Sequence, residues 1–248
     1  METRQFGLIG RGISHSFSAS YFNKKFVETG YNAVYSLFDL TNISDFESIK
    51  GIPNLYGLNV TSPYKRAIIP FLDELSDEAL LLNAVNVIEF IHDSDGKTIL
   101  KGHNTDSEGF RKTIENLNGI NSALILGSGG AASAVGLALK NSGIAYHIVS
   151  RNPKENEISY GEANQIIPST SLIINATPVG MHPDTSNYPL IDYEKLSPLH
   201  VCYDLIYNPS ETLFLKLAKS KGARTLNGLQ MLINQAELAW NIWQNCER

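Results

Sequence analysis

Apolar and polar positions along the chain switch repeatedly between period two and period 3.6, which marks alternating short strands and helices. Residues 4–10 form an apolar run that ends in the loop Gly-Arg-Gly-Ile-Ser-His-Ser-Phe-Ser. Phe17, Tyr21, Phe26 and Val27 then fall at roughly helical spacing, with Gly30 as the stop. Residues 34–40 read as a mostly buried strand, Ile43, Phe46 and Ile49 as a short helix, and residues 56–60 as a third strand. Three strands joined by two helices before residue 62 imply a parallel sheet with right-handed crossovers. The segment Thr61-Ser62-Pro63-Tyr64-Lys65 predicts a helix start, with Pro63 at the first helical position and a hydroxyl as cap. A helix over 76–83 follows, then strands at 87–91 and 98–100 flank the turn at 92–96 as a hairpin. The loop Gly102-His103-Asn104-Thr105-Asp106 leads into a polar helix reaching about Leu117, and the crossing between domains is expected there.

Residues 122–151 carry the strongest pattern. The apolar run 123–126 stops at Gly127, an Ala-rich helix runs to Gly143, and a β-branched strand follows at Ile148 and Val149. Gly127, Gly129 and Ala132 occupy the small positions of G-x-G-x-x-G/A. The first permits a sharp turn, the second lets backbone N–H groups approach a pyrophosphate, and the third lets the helix pack close to the strand. Ser128, Gly130 and Ala131 complete a loop whose unpaired N–H groups and positive helix end favour a diphosphate. This context, a strand before and a helix after, points to a dinucleotide. Where NAD-binding chains usually place an acid about twenty residues on, this one has Ser150-Arg151-Asn152. A guanidinium fork flanked by neutral donors suits a 2′-phosphate, so NADP is the expected cofactor, with an ordinary surface arginine as the alternative.

Past this unit, residues 172–176 and 201–206 read as buried strands, 211–220 as a helix and 223–225 as a short strand. The last helix, about 228–244, lines up Leu229, Leu232, Ile233, Ala236, Trp240 and Trp243, and is expected to fold back across a groove between domains. At 248 residues and a formal charge of −5, the chain can hold two modest domains, and its charge argues against nucleic acid or anionic membrane as a partner. No apolar run approaches a membrane span of about 20 residues, and the N-terminus enters strand pattern without a secretory h-region. Cys202 and Cys246 are too few for a disulfide scaffold or a zinc site, so no metal is expected and a reduced, cytoplasmic setting fits. Polar residues after the first-half strands are mostly neutral, which suits a small polyhydroxylated ring, and Lys65 and Asp106 stand out as charges. Taken alone, Lys65 could be a solvated helix lysine, Asp106 a helix cap, and Ser16 and Ser18 turn residues.

Eight motifs, in order along nearly the whole chain, resemble the shikimate dehydrogenase family. They are H-S-F-S, G-L-N-V-T-S-P-Y-K, A-V-N, G-H-N-T-D, G-S-G-G-A-A, N-A-T-P-V-G-M, Y-N-P-S-E-T and G-L-Q-M-L-I-N-Q. The resemblance implies an α/β protein of two domains: a mostly parallel-sheet substrate domain (1–103 plus 226–248) and a Rossmann-type NADP domain (104–225). It implies reversible NADPH reduction of 3-dehydroshikimate to shikimate in aromatic amino-acid biosynthesis, by a monomer or homodimer. Lys65 and Asp106 would be the catalytic pair, and Ser16 and Ser18 would hold the substrate carboxylate. Thr61, Asn86, Asp106 and Gln235 would hold ring hydroxyls, with Tyr207 near the carboxylate. Thr177, Met231 and the backbone at Gly228 would contact the cofactor. Gly12, Ala19, Phe22, Asn83 and Val87 depart from the usual family pattern and remove none of these groups. A quinate-preferring relative would share these features, and a non-catalytic NADP or metabolite sensor would lack the lysine or the aspartate.

Overall fold

The computed structural model describes residues 2–92 and 97–245, so the tip of the expected hairpin turn (93–96) and Cys246 lie outside the described residues. The chain divides into two compact α/β units, residues 1–105 with 236–248, and residues 106–235. The expected crossings near 103 and 226 thus lie at 105/106 and 235/236. Residues 226–235 group with the second unit.

The first unit contains β1 (Arg4–Gly10), α1 (Phe17–Thr29), β2 (Ala33–Asp39), α2 (Phe46–Ile49), β3 (Leu55–Val60), β4 (Glu74–Leu75), α3 (Asp77–Leu82), β5 (Val87–His92) and β6 (Thr98–His103). Its sheet runs β2-β1-β3-β5-β6-β4. The β2, β1 and β3 strands are parallel, β5 is antiparallel to β3 and to β6, and β4 is parallel to β6. Helix α1 starts at Ser16, whose hydroxyl accepts from the Ser18 N–H, and stops at Gly30 in the left-handed region. Its buried face is Ser18, Phe22 and Phe26, whereas Val27, expected inward, is 82% exposed. Position 27 follows Phe26 directly and so turns about 100° away from the face that Phe22 and Phe26 share. Strand β2 lies at the sheet edge with only Tyr35 fully buried, less covered than its apolar content suggested.

The helix expected from Pro63 does not form. Residues 62–68 are consecutive turns, followed by a single 3-10 turn at Ile69–Phe71. Pro70 accounts for this: it lacks the N–H that a helix running from Pro63 would need there, and the chain closes a single 3-10 turn instead.

The second unit contains α4 (Asp106–Ile114), β7 (Ser122–Leu126), α5 (Gly130–Asn141), β8 (Ala145–Val149), β9 (Glu157–Ile158), α6 (Tyr160–Ile166), β10 (Leu172–Asn175), β11 (Val201–Asp204), α7 (Leu213–Ser220), β12 (Arg224–Leu226) and α8 (Leu229–Asn245), the last continuing into residues of the first unit. Its six strands run β12-β11-β10-β7-β8-β9, all parallel. Counted from β7, this is the 3-2-1-4-5-6 order of a dinucleotide-binding sheet, and the order reverses between β7 and β10. Both β7 and β10 are buried along nearly their whole length, as strands covered by helices on two faces must be.

From residue 236 onward α8 belongs to the first unit, and its aromatic rings explain why. Trp240 and Trp243 pack with Phe6, Phe22 and Phe26, and the Trp243 Nε1–H donates to the Ile88 carbonyl at 3.1 Å. A Cβ at Gly57 would overlap the Trp243 indole, so that motif glycine makes room for the ring. Glu237 adds polar ties to α1, accepting from Tyr21 and from Lys25.

Candidate active and cofactor sites

In the first unit the expected substrate residues follow the carboxyl ends of the parallel strands or lie level with them. Ser16 and Ser18 follow β1, Thr61 and Lys65 follow β3, and Asn86 precedes the antiparallel β5, which brings it level with the end of β3. Backbone bonds hold this arrangement: the Thr61 N–H donates to Ile9 O at 2.9 Å, Val60 N–H to Asn86 O at 2.8 Å, and Val85 N–H to Lys65 O at 2.7 Å. Ser16 is half-buried, and because its Oγ accepts the Ser18 N–H at 3.2 Å, its own proton can be given to an acceptor.

Asn86 is buried and held by Thr105. Its Oδ1 accepts the Thr105 N–H at 2.9 Å, and its Nδ2 donates to Thr105 Oγ1 at 3.0 Å, which fixes the amide orientation. The Tyr35 hydroxyl donates to Asn59 Oδ1 at 2.7 Å, and Asn59 Nδ2 donates to the Asn86 carbonyl at 3.2 Å, so a buried polar chain lies behind the site. Burial pushes the Tyr35 phenol well above its ordinary pKa, keeping it a neutral donor.

In the second unit the expected cofactor residues sit at the carboxyl ends of the parallel strands, at the reversal of strand order. Gly127 has φ +110, and a Cβ there would lie 2.8 Å from Thr177 Cγ2, so the turn needs a glycine. Gly129 occupies the N-cap of α5 with open space where a Cβ would be. Ser16, Ser76, Ser159 and Thr212 cap α1, α3, α6 and α7 with their side chains, but α5 has no side-chain cap. Its first-turn N–H groups are therefore left to an external acceptor, with Ser128, Gly130 and Ala131 exposed around them. Ala132 is buried under the helix beside β7, as the third small position requires.

Ser150 and the exposed Arg151 and Asn152 follow β8, and the Asn152 N–H donates to Ser150 Oγ at 3.3 Å. A cavity of about 760 Å³ opens here, lined by Ser150, Arg151, Tyr160, Pro178, Tyr188 and Leu190 among others. The donor set and the glycine cradle fit a phosphorylated dinucleotide. Gly228 lies beyond β12 with its N–H on Ile206 O at 3.1 Å, and Met231 packs half-buried on the sheet. Tyr207 is 40% exposed beyond β11. Gln235 donates to Leu232 O at 3.0 Å and packs against Gly109, while Asp106 is the first residue of α4, half-buried.

The sequence reading missed a buried hub beneath this rim. Asp204, fully buried at the end of β11, accepts from Asn175 Nδ2 at 3.1 Å, Ile206 N–H at 3.0 Å and Thr212 Oγ1 at 2.6 Å. Asn175 Oδ1 in turn accepts from the Thr177 hydroxyl at 2.6 Å and its N–H at 3.1 Å, fixing the cofactor-side loop. An acid closing the apolar run Val201-Cys202-Tyr203 was the available signal, since a buried carboxylate must find donors. Burial pushes Asp204 up to about 6, and its three donors restrain the rise. The folded chain thus holds that proton more tightly than the unfolded chain, whose aspartates titrate near the ordinary 3.8. Stability from this group is fullest below about pH 4 and is lost as pH rises through about 6. Chemical unfolding of the native chain and of Asp204→Asn at pH 4 and pH 7 is expected to show a differential loss of roughly 2 kcal/mol in the native chain. Equal pH dependence of the two would show that Asp204 keeps its ordinary value.

The chain is similar to known proteins along nearly its whole length. Residues 8–88 match the family model "Shikimate dehydrogenase substrate binding domain". The "Shikimate dehydrogenase (NADP(+))" of Methanococcus maripaludis strain C6 is 38% identical over 263 residues, covering 98% of this chain and 92% of that protein. The chain belongs to the shikimate dehydrogenase family. Its members are oxidoreductases acting on a CH–OH group. The crystal structure of the Thermus thermophilus enzyme, in complex with NADP(H) and shikimate, is similar at a TM-score of 0.85 and 30% identity, covering 98% of this chain and 94% of that one. Quinate dehydrogenase from Corynebacterium glutamicum, in complex with NAD, has a TM-score of 0.86 at 28% identity, with the same coverage.

Proposed function

We propose that the chain reduces 3-dehydroshikimate to shikimate with NADPH, reversibly, as a step toward the aromatic amino acids. The observation that carries the reading is the glycine turn at the reversal of strand order, followed at the end of β8 by Arg151 in place of an acid.

In this reading Gly127–Ala131 and the uncapped end of α5 hold the diphosphate, and Ser150, Arg151 and Asn152 hold the 2′-phosphate. Thr177, Gly228 and Met231 complete the cofactor's surroundings. When bound, NADPH supplies a hydride to a ketone carbon, whose oxygen then needs a proton. Lys65 holds that proton on its ammonium group, and Asp106 is the second catalytic residue and a ligand for a ring hydroxyl. Ser16 donates to the substrate carboxylate beside Ser18 and Tyr207, and Thr61, Asn86 and Gln235 bind ring hydroxyls. The reading includes a cytoplasmic location. The Cys202 thiol is free and buried, and no helix among the described residues is long and apolar enough to cross a membrane.

The likeness to a quinate dehydrogenase gives the second reading, quinate oxidation. An absorbance assay at 340 nm with shikimate or quinate, each with NADP+ or NAD+, separates the two, and shikimate with NADP+ is expected to give the highest kcat/KM. A faster reaction with quinate would overturn the substrate, and no reaction with any pair would overturn the enzyme. Arg151→Gln is expected to raise the KM for NADP+ about 10–100-fold, on the scale of charge-assisted hydrogen bonds, while leaving that for NAD+ nearly unchanged. A parallel rise in both would show that Arg151 does not read the 2′-phosphate.

A further inference from the structure

We propose that Asp39 is the positioning residue of the loop that presents Ser16. The proposal rests on the reading that the Ser16 hydroxyl binds the substrate carboxylate.

Asp39 ends β2 and pairs in register with Gly10, the last residue of β1. Its carboxylate reaches over the end of β1, where Oδ1 accepts the Gly12 N–H at 2.9 Å and Oδ2 accepts the Ile13 N–H at 3.3 Å. Two consecutive backbone donors converge on one carboxylate because Gly12 has φ +66, a left-handed conformation that glycine adopts without penalty. The loop is closed from below as well. Ile13 is buried, and a Cβ at Gly10 would lie 2.5 Å from both Ile13 Cγ2 and Thr61 Cγ2, so the glycine lets these two side chains come together over the strand end.

An unbroken series of bonds leads from this anchor to the hydroxyl. Asp39 holds the Gly12 and Ile13 N–H groups, the Ile13 carbonyl accepts the Ser16 N–H at 2.9 Å, and Ser16 Oγ accepts the Ser18 N–H at 3.2 Å. The position and the donating direction of the Ser16 hydroxyl therefore both trace back to Asp39. The neighbouring Arg11 is held apart from this task, donating to Thr41 O at 2.5 Å and Tyr64 OH at 3.2 Å, with its guanidinium over the Tyr64 ring.

The charge of Asp39 makes the test sharp. A carboxylate anchoring a loop that binds an anion opposes that anion, so its removal by Coulomb's law alone would tighten binding. Loss of the anchor works the other way. Steady-state kinetics with shikimate and NADP+ on the whole chain would compare Asp39→Ala, Asp39→Asn, Ser16→Ala and the double variant Ser16→Ala/Asp39→Ala. Asp39→Ala is expected to raise the shikimate KM about tenfold, as for a lost charged hydrogen bond, with kcat and the NADP+ KM almost unmoved. Asp39→Asn keeps one acceptor oxygen and should fall between the native chain and Asp39→Ala. Because Asp39 acts through Ser16, the double variant should match Ser16→Ala rather than multiply the two effects. An unchanged or lower shikimate KM in Asp39→Ala, a parallel rise in the NADP+ KM, or multiplying effects in the double variant would each overturn the proposal. If Ser16→Ala alone left the shikimate KM unchanged, the carboxylate assignment would fail first and the role of Asp39 with it.

Discussion

Lys65→Met is expected to lower the turnover of shikimate with NADP+ by roughly 10²-fold or more, the usual scale for losing a general acid or base. Methionine keeps most of the length and the apolar stem of lysine and removes only the ammonium. The backbone at this position is held separately, with Lys65 O accepting the Val85 N–H at 2.7 Å, so the turns at 62–68 should keep their course. The glycine turn belongs to the other compact unit, and NADP+ affinity, read by fluorescence titration, should be unchanged. Turnover near the native level would remove Lys65 from the chemistry. A comparable loss of NADP+ affinity would instead point to a disturbed fold.

Gly228→Ala is expected to cost about 3 kcal/mol of stability or more, the upper part of the range for a substitution that overfills a rigid site. The new methyl group would overlap the Leu205 carbonyl, which is backbone and cannot rotate aside. Residue 228 cannot retreat either, because its N–H is bonded to Ile206 O at 3.1 Å and its own carbonyl accepts the Leu232 N–H at 3.0 Å at the start of α8. Gly129→Ala is the control. Nothing lies within 4 Å of a Cβ there, and its φ of −85° suits alanine, so the thermal midpoint should hold while the affinity for NADP+ falls. Two glycines of the same unit would thus separate, one needed for packing and the other for a ligand. Equal thermal midpoints for the native chain and Gly228→Ala would contradict the crowding at that position.

What the sequence revealed and what it hid follow from the range of the forces involved. The Gly127 turn, the start and stop of α1 and the cap of α3 at Ser76 are local arrangements within a few residues, and their patterns are written in adjacent positions. The helix expected at Pro63 failed because Pro70, seven residues on, outweighed a favourable N-terminal signal. Strands β4 and β9 span two residues each, too short for any period to register. The two carboxylates that order the loops escaped for a different reason. Asp39 meets Gly12 across 27 residues of sequence and Asp204 meets Asn175 across 29, so these two pairings became visible only when the sheets were assembled. The side chains of the candidate site were easier to name than the groups that hold them still, because motifs record chemistry and the supporting bonds depend on register.

The sharing of α8 between the two units bears on how the protein could be taken apart. A gene fragment ending at residue 105 would encode every strand of the first sheet yet omit Trp240 and Trp243, leaving Phe6, Phe22 and Phe26 uncovered in water. An isolated front half would need the terminal segment grafted back through a short tether, because the two pieces of its core are made at opposite ends of translation. On the ribosome, that half can complete its packing only after the intervening unit has been synthesised.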